Sequence, residues 1–454
     1  MPSLSALRAS IACRQAASLT GHVTAVSALA AEITGLSAHL AVGDRLMLQS
    51  RDRRDIPAEI IAVRGHTLHA APFGDTLGIG AQCRAHAPIN PGRIARGGAL
   101  WPCADWLGRV IDPLGNPIDG GGALPAGPRA RPVRAAPPLA TSRARLGPAI
   151  DLGVRVLNCF ATCRTGQRLG LFAGSGIGKS TLLSMLARHT ACDVIVLALV
   201  GERGREVREF IEDDLGLEGL ARAVVVIATS DAPPLMRREA AYAATTIAEH
   251  FRDEGKSVLL LMDSVTRFCL ALRELGLAAG EPPATRGYPP SVFAELPRLL
   301  ERAGPGPVMP DGTAGMITAL FTVLVEGGDL DEPVADAVRG ILDGHVVLDR
   351  RIGEGGRYPA VDVLRSLSRA ASGILSPGQA TLLRRARAHL ALHADMADMI
   401  RLGAYKPGTD AAVDEAIRVV PRIEAMLTQT RDDPTSLDQS FAMLAQAVSA
   451  PNRV

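Results

Sequence analysis

The chain has 454 residues, of which 47% are hydrophobic and 21% charged, a globular balance with length for two or three domains. A formal net charge of +2 argues against a general polyanion grip on nucleic acid. No apolar run approaches the roughly 20 residues that span a bilayer. Among the 49 basic residues only Lys179, Lys256 and Lys406 are lysine. Where lysine survives such a bias toward arginine, the chemistry calls for a compact ammonium. Seven cysteines form no CxxC pair and no zinc spacing, which suggests reduced thiols in the cytosol. Cys159 and Cys163, four apart, would share one face of a helix and pack there.

Residues 1–19 place Leu4, Leu7 and Ile11 at helical spacing beside Arg8 and Arg14, with no acidic residue before Glu32. No uninterrupted apolar core of a signal peptide follows. The segment reads as a short amphipathic arm for a partner or a membrane surface, or else as an idle terminus. Residues 20–92 are short alternating segments broken by Gly and Pro, such as Ala58–Val63 and Thr67–Ala70, which predict a small β-barrel. Residues 93–150 are rich in Pro and Gly yet keep recurring apolar positions, an ordered crossover rather than a flexible linker. From 151 to 375, apolar runs alternate with helical stretches: 168–172, 194–200, 224–227, 258–262, 317–325 and 346–348. That pattern predicts an α/β core whose parallel sheet is covered on both faces. Residues 376–454 are rich in Ala, Leu and Arg and read as a helical domain.

The run Ala173-Gly174-Ser175-Gly176-Ile177-Gly178-Lys179-Ser180-Thr181 follows one predicted strand and opens a helix. Glycines let backbone N–H groups curl around phosphate oxygens, and the helix start adds partial positive charge. Lys179 can reach the β and γ phosphates of ATP, and the Ser180 hydroxyl can ligate Mg2+. The strict pattern has Gly where Ala173 stands, a position that shapes the turn rather than the cradle. Asp263 ends the apolar run 258–262 and, at the carboxyl edge of a parallel sheet, falls beside that loop. It would hold Mg2+, or else cap the following helix. Glu202 ends another run and emerges at the same edge, where a carboxylate can orient the attacking water. Glu206 and Glu209 compete for that role from what reads as a surface helix.

Together these residues resemble the flagellar protein-export ATPase family, relatives of the catalytic subunits of rotary ATP synthases. The resemblance runs over nearly the whole chain. It is carried by Gly108–Asp112, the phosphate loop, Gly201–Arg203, Leu261–Phe268, Gly280–Phe293, Asp343–His345, Tyr358–Asp362, Ser366–Arg369 and Leu402–Lys406. The resemblance implies a RecA-like P-loop core. It implies that Glu202 is the catalytic carboxylate, Arg369 an arginine finger reaching a neighbouring subunit, and Tyr358 an aromatic that stacks on adenine. A chain carrying both Glu202 and Arg369 can build every site from copies of itself, so a homohexamer is expected. The implied partners are a stator-like regulatory subunit, a central stalk protein, the membrane export gate and chaperone–substrate complexes. The implied location is cytoplasmic, at the inner face of the membrane.

Other readings fit less well. An RNA-translocating ring would need aromatics and a basic channel, and aromatics are 3% of the chain. A rotary synthase subunit fits the Leu402–Lys406 segment less well than an export ATPase does. A catalytically dead scaffold is disfavoured by the intact polar positions. The secretion ATPase of virulence injectisomes is the nearest alternative, with Ala284–Tyr288 closer to the flagellar pattern.

Overall fold

The computed structural model describes residues 18–88, 98–174 and 176–449. The amphipathic stripe of the N-terminal arm and Ser175 of the phosphate loop lie outside the described residues.

Six strands form a closed barrel: β1 (Ser18–Val26), β2 (Ala31–Thr34), β3 (Arg45–Gln49), β4 (Asp55–Arg64), β5 (Thr67–Pro72) and β6 (Arg84–Pro88). Their order around the barrel is β1-β2-β5-β4-β3-β6. Period-two alternation fills it: in β3, Leu46 and Leu48 point inward while Met47 faces out. Val23, Ile33, Ile60 and Leu68 complete that small core. Closure leaves no sheet edge exposed for pairing.

The described part of the crossover, from residue 98 on, is braced by its own side chains. The Asp112 carboxylate accepts from the backbone N–H groups of Leu114 and Asn116, both at 2.8 Å. Arg109 grips Asp119 at 2.7 and 2.8 Å. This segment also supplies β7 (Arg109–Ile111), which joins the edge of the main sheet.

The main sheet continues with β8 (Arg168–Ala173), β9 (Val194–Glu202), β10 (Ala223–Thr229), β11 (Ser257–Asp263), β12 (Met316–Leu324), β13 (Gly344–Leu348) and β14 (Val361–Ser368). The order is β14-β13-β8-β12-β11-β9-β10-β7. All these neighbours run parallel except β14, antiparallel to β13, so the expected parallel sheet carries one reversed edge strand. Every residue of β9 is buried, as continuous apolar strands between two helical layers require. Alternate residues feed separate cores: Ile195, Leu197, Leu259 and Leu261 on one face, Val194, Val196, Val258 and Leu260 on the other.

Helix α1 (Lys179–His189) follows β8, α2 (Pro234–Asp253) follows β10, and α3 (Val265–Ala278) follows β11. Helices α4 (Pro377–Arg401), α5 (Ala411–Leu427) and α6 (Leu437–Ser449) form the C-terminal region. A capping box, with Ser376 and Gln379 bonding reciprocally, starts α4. Val419 and Ile423 of α5 and Leu444 of α6 share one apolar cluster with Leu169 and Leu259, so these helices dock on the sheet layer.

The barrel is held to the core by buried charge. Glu59 on β4 accepts from Arg238 on α2 at 2.8 Å and lies 3.3 Å from Arg134. Arg45 on β3 pairs with Glu239. Cys159 and Cys163 do not share a helix, because the local helix covers only Arg155–Phe160. Both are buried, and burial pushes the Cys159 thiol up to about 12. The six cysteines among the described residues are free.

Candidate active site

Strand β8 ends at Ala173, whose methyl is fully buried and takes no part in the loop surface. Gly176 and Gly178 then adopt φ of 74° and 83°, the left-handed region that side chains resist. A Cβ on Gly176 would meet nothing within 4 Å, so that side of the loop is open to an approaching ligand. Ile177 is buried and anchors the loop, with Gly174 beside its side chain. Helix α1 begins at Lys179, and Ser180 and Thr181 are exposed at its first turn, where N–H groups have no intrahelical acceptor. A phosphate chain fits this cradle of backbone donors.

Three carboxyl-edge residues converge on the loop. Lys179 forms an ion pair with Asp263 and sits 3.8 Å from Glu202. The other Asp263 oxygen accepts from the Thr322 hydroxyl at 2.7 Å. Asp263 does not cap α3; Ser264 does, its hydroxyl accepting from the Arg267 N–H at 3.3 Å. The Asp263 carboxylate is therefore left to the site. Strand pairing sets Leu199 opposite Asp263, so Glu202 stands three residues further out along β9.

Glu202 is buried, with Arg267 at 3.5 Å. Burial and the neighbouring Asp263 push its carboxyl up to about 7, against the pull of Lys179 and Arg267. A carboxyl poised near neutrality can take a proton from water and release it. Ser180, Glu202, Glu206 and Asp263 line one small cleft with Leu199 and Phe210. Glu206 therefore faces the site rather than only solvent, while Glu209 pairs with Arg205 at 3.4 Å on the exposed side of the same short helix.

Tyr358 sits in the loop before β14, 44% exposed. Two of its ring carbons lie 3.3 Å from where a Gly178 Cβ would be, so one edge of the ring borders the phosphate loop. Arg369 is not brought to this site. It directly follows β14, with its backbone N–H on the Asp343 carbonyl at 2.9 Å and its guanidinium on the Arg339 carbonyl at 3.3 Å. Asp343 in turn donates to the Arg168 carbonyl at the start of β8. Arg369 and Lys179 thus lie toward opposite ends of β8, a six-residue strand ~20 Å long.

Thr322 and Arg267 had no role in the sequence reading. The run of β12 carries two hydroxyls, Thr318 and Thr322, and nothing in it tells which of them faces the carboxylate. For Arg267 the signal was a cation one helical turn beyond the strand-end carboxylate.

The family model for the ATP synthase alpha/beta nucleotide-binding domain matches residues 153–368. The model for the type III secretion EscN ATPase C-terminal domain matches residues 375–446. The flagellum-specific ATP synthase of Caulobacter vibrioides is 52% identical over 431 residues, 95% of this chain and 96% of that protein. The assembled EscN ATPase of the enteropathogenic E. coli type III secretion system superposes with a TM-score of 0.86 at 37% identity, covering 94% of this chain and 100% of that one. EscN in complex with its central stalk EscO matches with a TM-score of 0.82 at 37% identity, over 94% of this chain and 100% of that one. The family-model matches and the near-complete overlap lead to one conclusion: the chain belongs to the family of flagellum-specific ATP synthases and type III secretion ATPases.

Proposed function

We propose that the chain is the Mg-ATP-hydrolysing subunit of a homohexameric ring that energises flagellar protein export, with each active site shared between two copies. The observation that carries this reading is the separation of Glu202 from Arg369. Both occur in every copy, yet one chain holds them at opposite ends of its sheet. Side by side in a ring, the Arg369 end of one copy meets the Glu202 end of the next.

The Ser180 hydroxyl and the Asp263 carboxylate are hard oxygen donors suited to Mg2+, which would neutralise charge on the phosphates. In this reading the loop N–H groups and Lys179 hold the triphosphate, and Lys179 leaves its carboxylate partners to do so. Thr322 keeps Asp263 oriented. Glu202 accepts a proton from the attacking water, and Arg369 of the neighbouring copy stabilises charge on the transferring phosphoryl group. Tyr358 stacks on the base.

The Caulobacter relative supports the flagellar branch and the EscN–EscO complex a central stalk partner. A stator-like regulator, the export gate, chaperone–substrate complexes and a position at the inner membrane face complete the proposal. Among the described residues no helix is long and apolar enough to cross a membrane, so contact with the bilayer would be peripheral.

Two measurements test this. Specific ATPase activity should rise with protein concentration as rings form; equal activity in verified monomers would contradict shared sites. Deleting the gene should abolish flagellar filaments, restored by the wild-type chain but not by Lys179→Ala. Intact filaments with lost effector secretion would move the chain to the injectisome branch.

A further inference from the structure

The loop carrying Tyr358 is gripped by the C-terminal helices. Gln429, just past α5, donates its N–H to the Tyr358 carbonyl at 2.8 Å. Its buried side chain is fixed in turn, accepting from the Arg155 N–H and donating to the Gly153 carbonyl, both at 2.8 Å. The preceding residue, Arg357, is buried and forms an ion pair with Glu424 on α5. The same guanidinium donates to the Val361 carbonyl at 2.8 Å and the Pro359 carbonyl at 3.4 Å, bracing the loop on both sides of Tyr358. Burial pushes the Arg357 guanidinium toward its neutral form and Glu424 holds it charged. Removing the Glu424 charge would leave the buried Arg357 cation with only the weaker influence of Asp362, so the loop would loosen.

On its far side Tyr358 borders Gly178, and its hydroxyl lies 3.2 Å from a Cβ built on Gly353. A continuous path of contacts therefore runs from α5 through Glu424, Arg357 and Tyr358 to the phosphate loop. We propose that Glu424, Arg357 and Gln429 are positioning residues that hold Tyr358 against the nucleotide base, so that the C-terminal helices set nucleotide affinity. This rests on the reading of Tyr358 as the base-stacking residue. Coupling of this kind is reciprocal: nucleotide binding would steady α5, and a partner engaging the C-terminal helices would shift affinity for ATP.

The full-length assembled enzyme tests it with Glu424→Gln, a mild change at a partly exposed side chain, and with Glu424→Asp as the conservative control. Glu424→Gln should raise KM for Mg-ATP about fivefold, the low end of such couplings, with kcat close to wild type. Inhibition by Mg-tripolyphosphate, which has the phosphates but no base, should be unaltered. Glu424→Asp should recover most of the affinity. In a Tyr358→Ala background, itself raised in KM, Glu424→Gln should add nothing. An unchanged KM in Glu424→Gln, an equal loss of tripolyphosphate inhibition, or a further full loss in the Tyr358→Ala background would each overturn the positioning role while leaving base stacking intact. An unchanged KM in Tyr358→Ala would overturn base stacking, and the positioning role with it.

Discussion

Glu202 is held between two opposing influences: burial beside Asp263 raises its proton affinity, while Lys179 and Arg267 lower it. A base must be ionised to act, so kcat/KM should climb as pH rises through about 7 and level off above it. A flat profile from pH 6 to 8 would place the water-activating group elsewhere. Glu202→Gln should keep Mg-ATP binding and lower hydrolysis by about 10²–10⁴-fold, measured as single-turnover rate beside nucleotide affinity. Near wild-type turnover would transfer the role to Glu206, which lines the same cleft. Lys179→Ala should weaken both binding and turnover. The strand-end carboxylates were legible in the sequence because strongly apolar runs announce buried parallel strands, and ligands gather at their carboxyl ends. Thr322 was not, since the run holds two hydroxyls, Thr318 and Thr322, and neither carries an indication of the neighbour it will face.

At the scale of elements, the barrel's attachment to the core includes one ion pair that water barely reaches, Glu59 with Arg238. Arg238 on α2 is 3% exposed and its barrel partner Glu59 1%. Breaking such a buried pair by removing one partner costs about 3–5 kcal/mol, because the remaining charge stays buried. Arg238→Met should therefore lower stability by about that amount in denaturant titration. The double change Glu59→Leu with Arg238→Met should recover part of the loss. A single substitution as mild as the double would show that Glu59 and Arg238 are reached by solvent. This interface was invisible in the sequence, where Glu59 and Arg238 are far apart and each reads as a surface charge. The apolar strands were legible for the opposite reason: their pattern is local. Strand β14 escaped because it lies at the sheet edge, with Leu364 and Leu367 exposed and serines buried, so its pattern is not apolar. Cys163 was misplaced because the helix beginning at Arg155 stops at Phe160, a boundary no strong stop signal marks.

For the whole molecule, the central claim is that catalysis belongs to the boundary between copies. The sheet's topology is the observation behind it: β14 runs back against β13 and delivers Arg369 to the edge opposite the phosphate loop. Arg369→Ala should spare nucleotide binding yet remove turnover by about the 10³–10⁵ associated with an arginine supplied in trans. Composition and motif spacing could not have shown this placement, because Arg369 is one arginine among many and its distance from Lys179 depends on the reversed strand. The most direct measurement mixes two inactive proteins, Glu202→Gln and Arg369→Ala, and assays ATP hydrolysis by confirmed mixed rings. Boundaries that join an intact Glu202 to an intact Arg369 from the next copy are complete, so the mixture should regain part of the wild-type activity. Mixed rings that stay as inactive as either parent would contradict a site shared between neighbours.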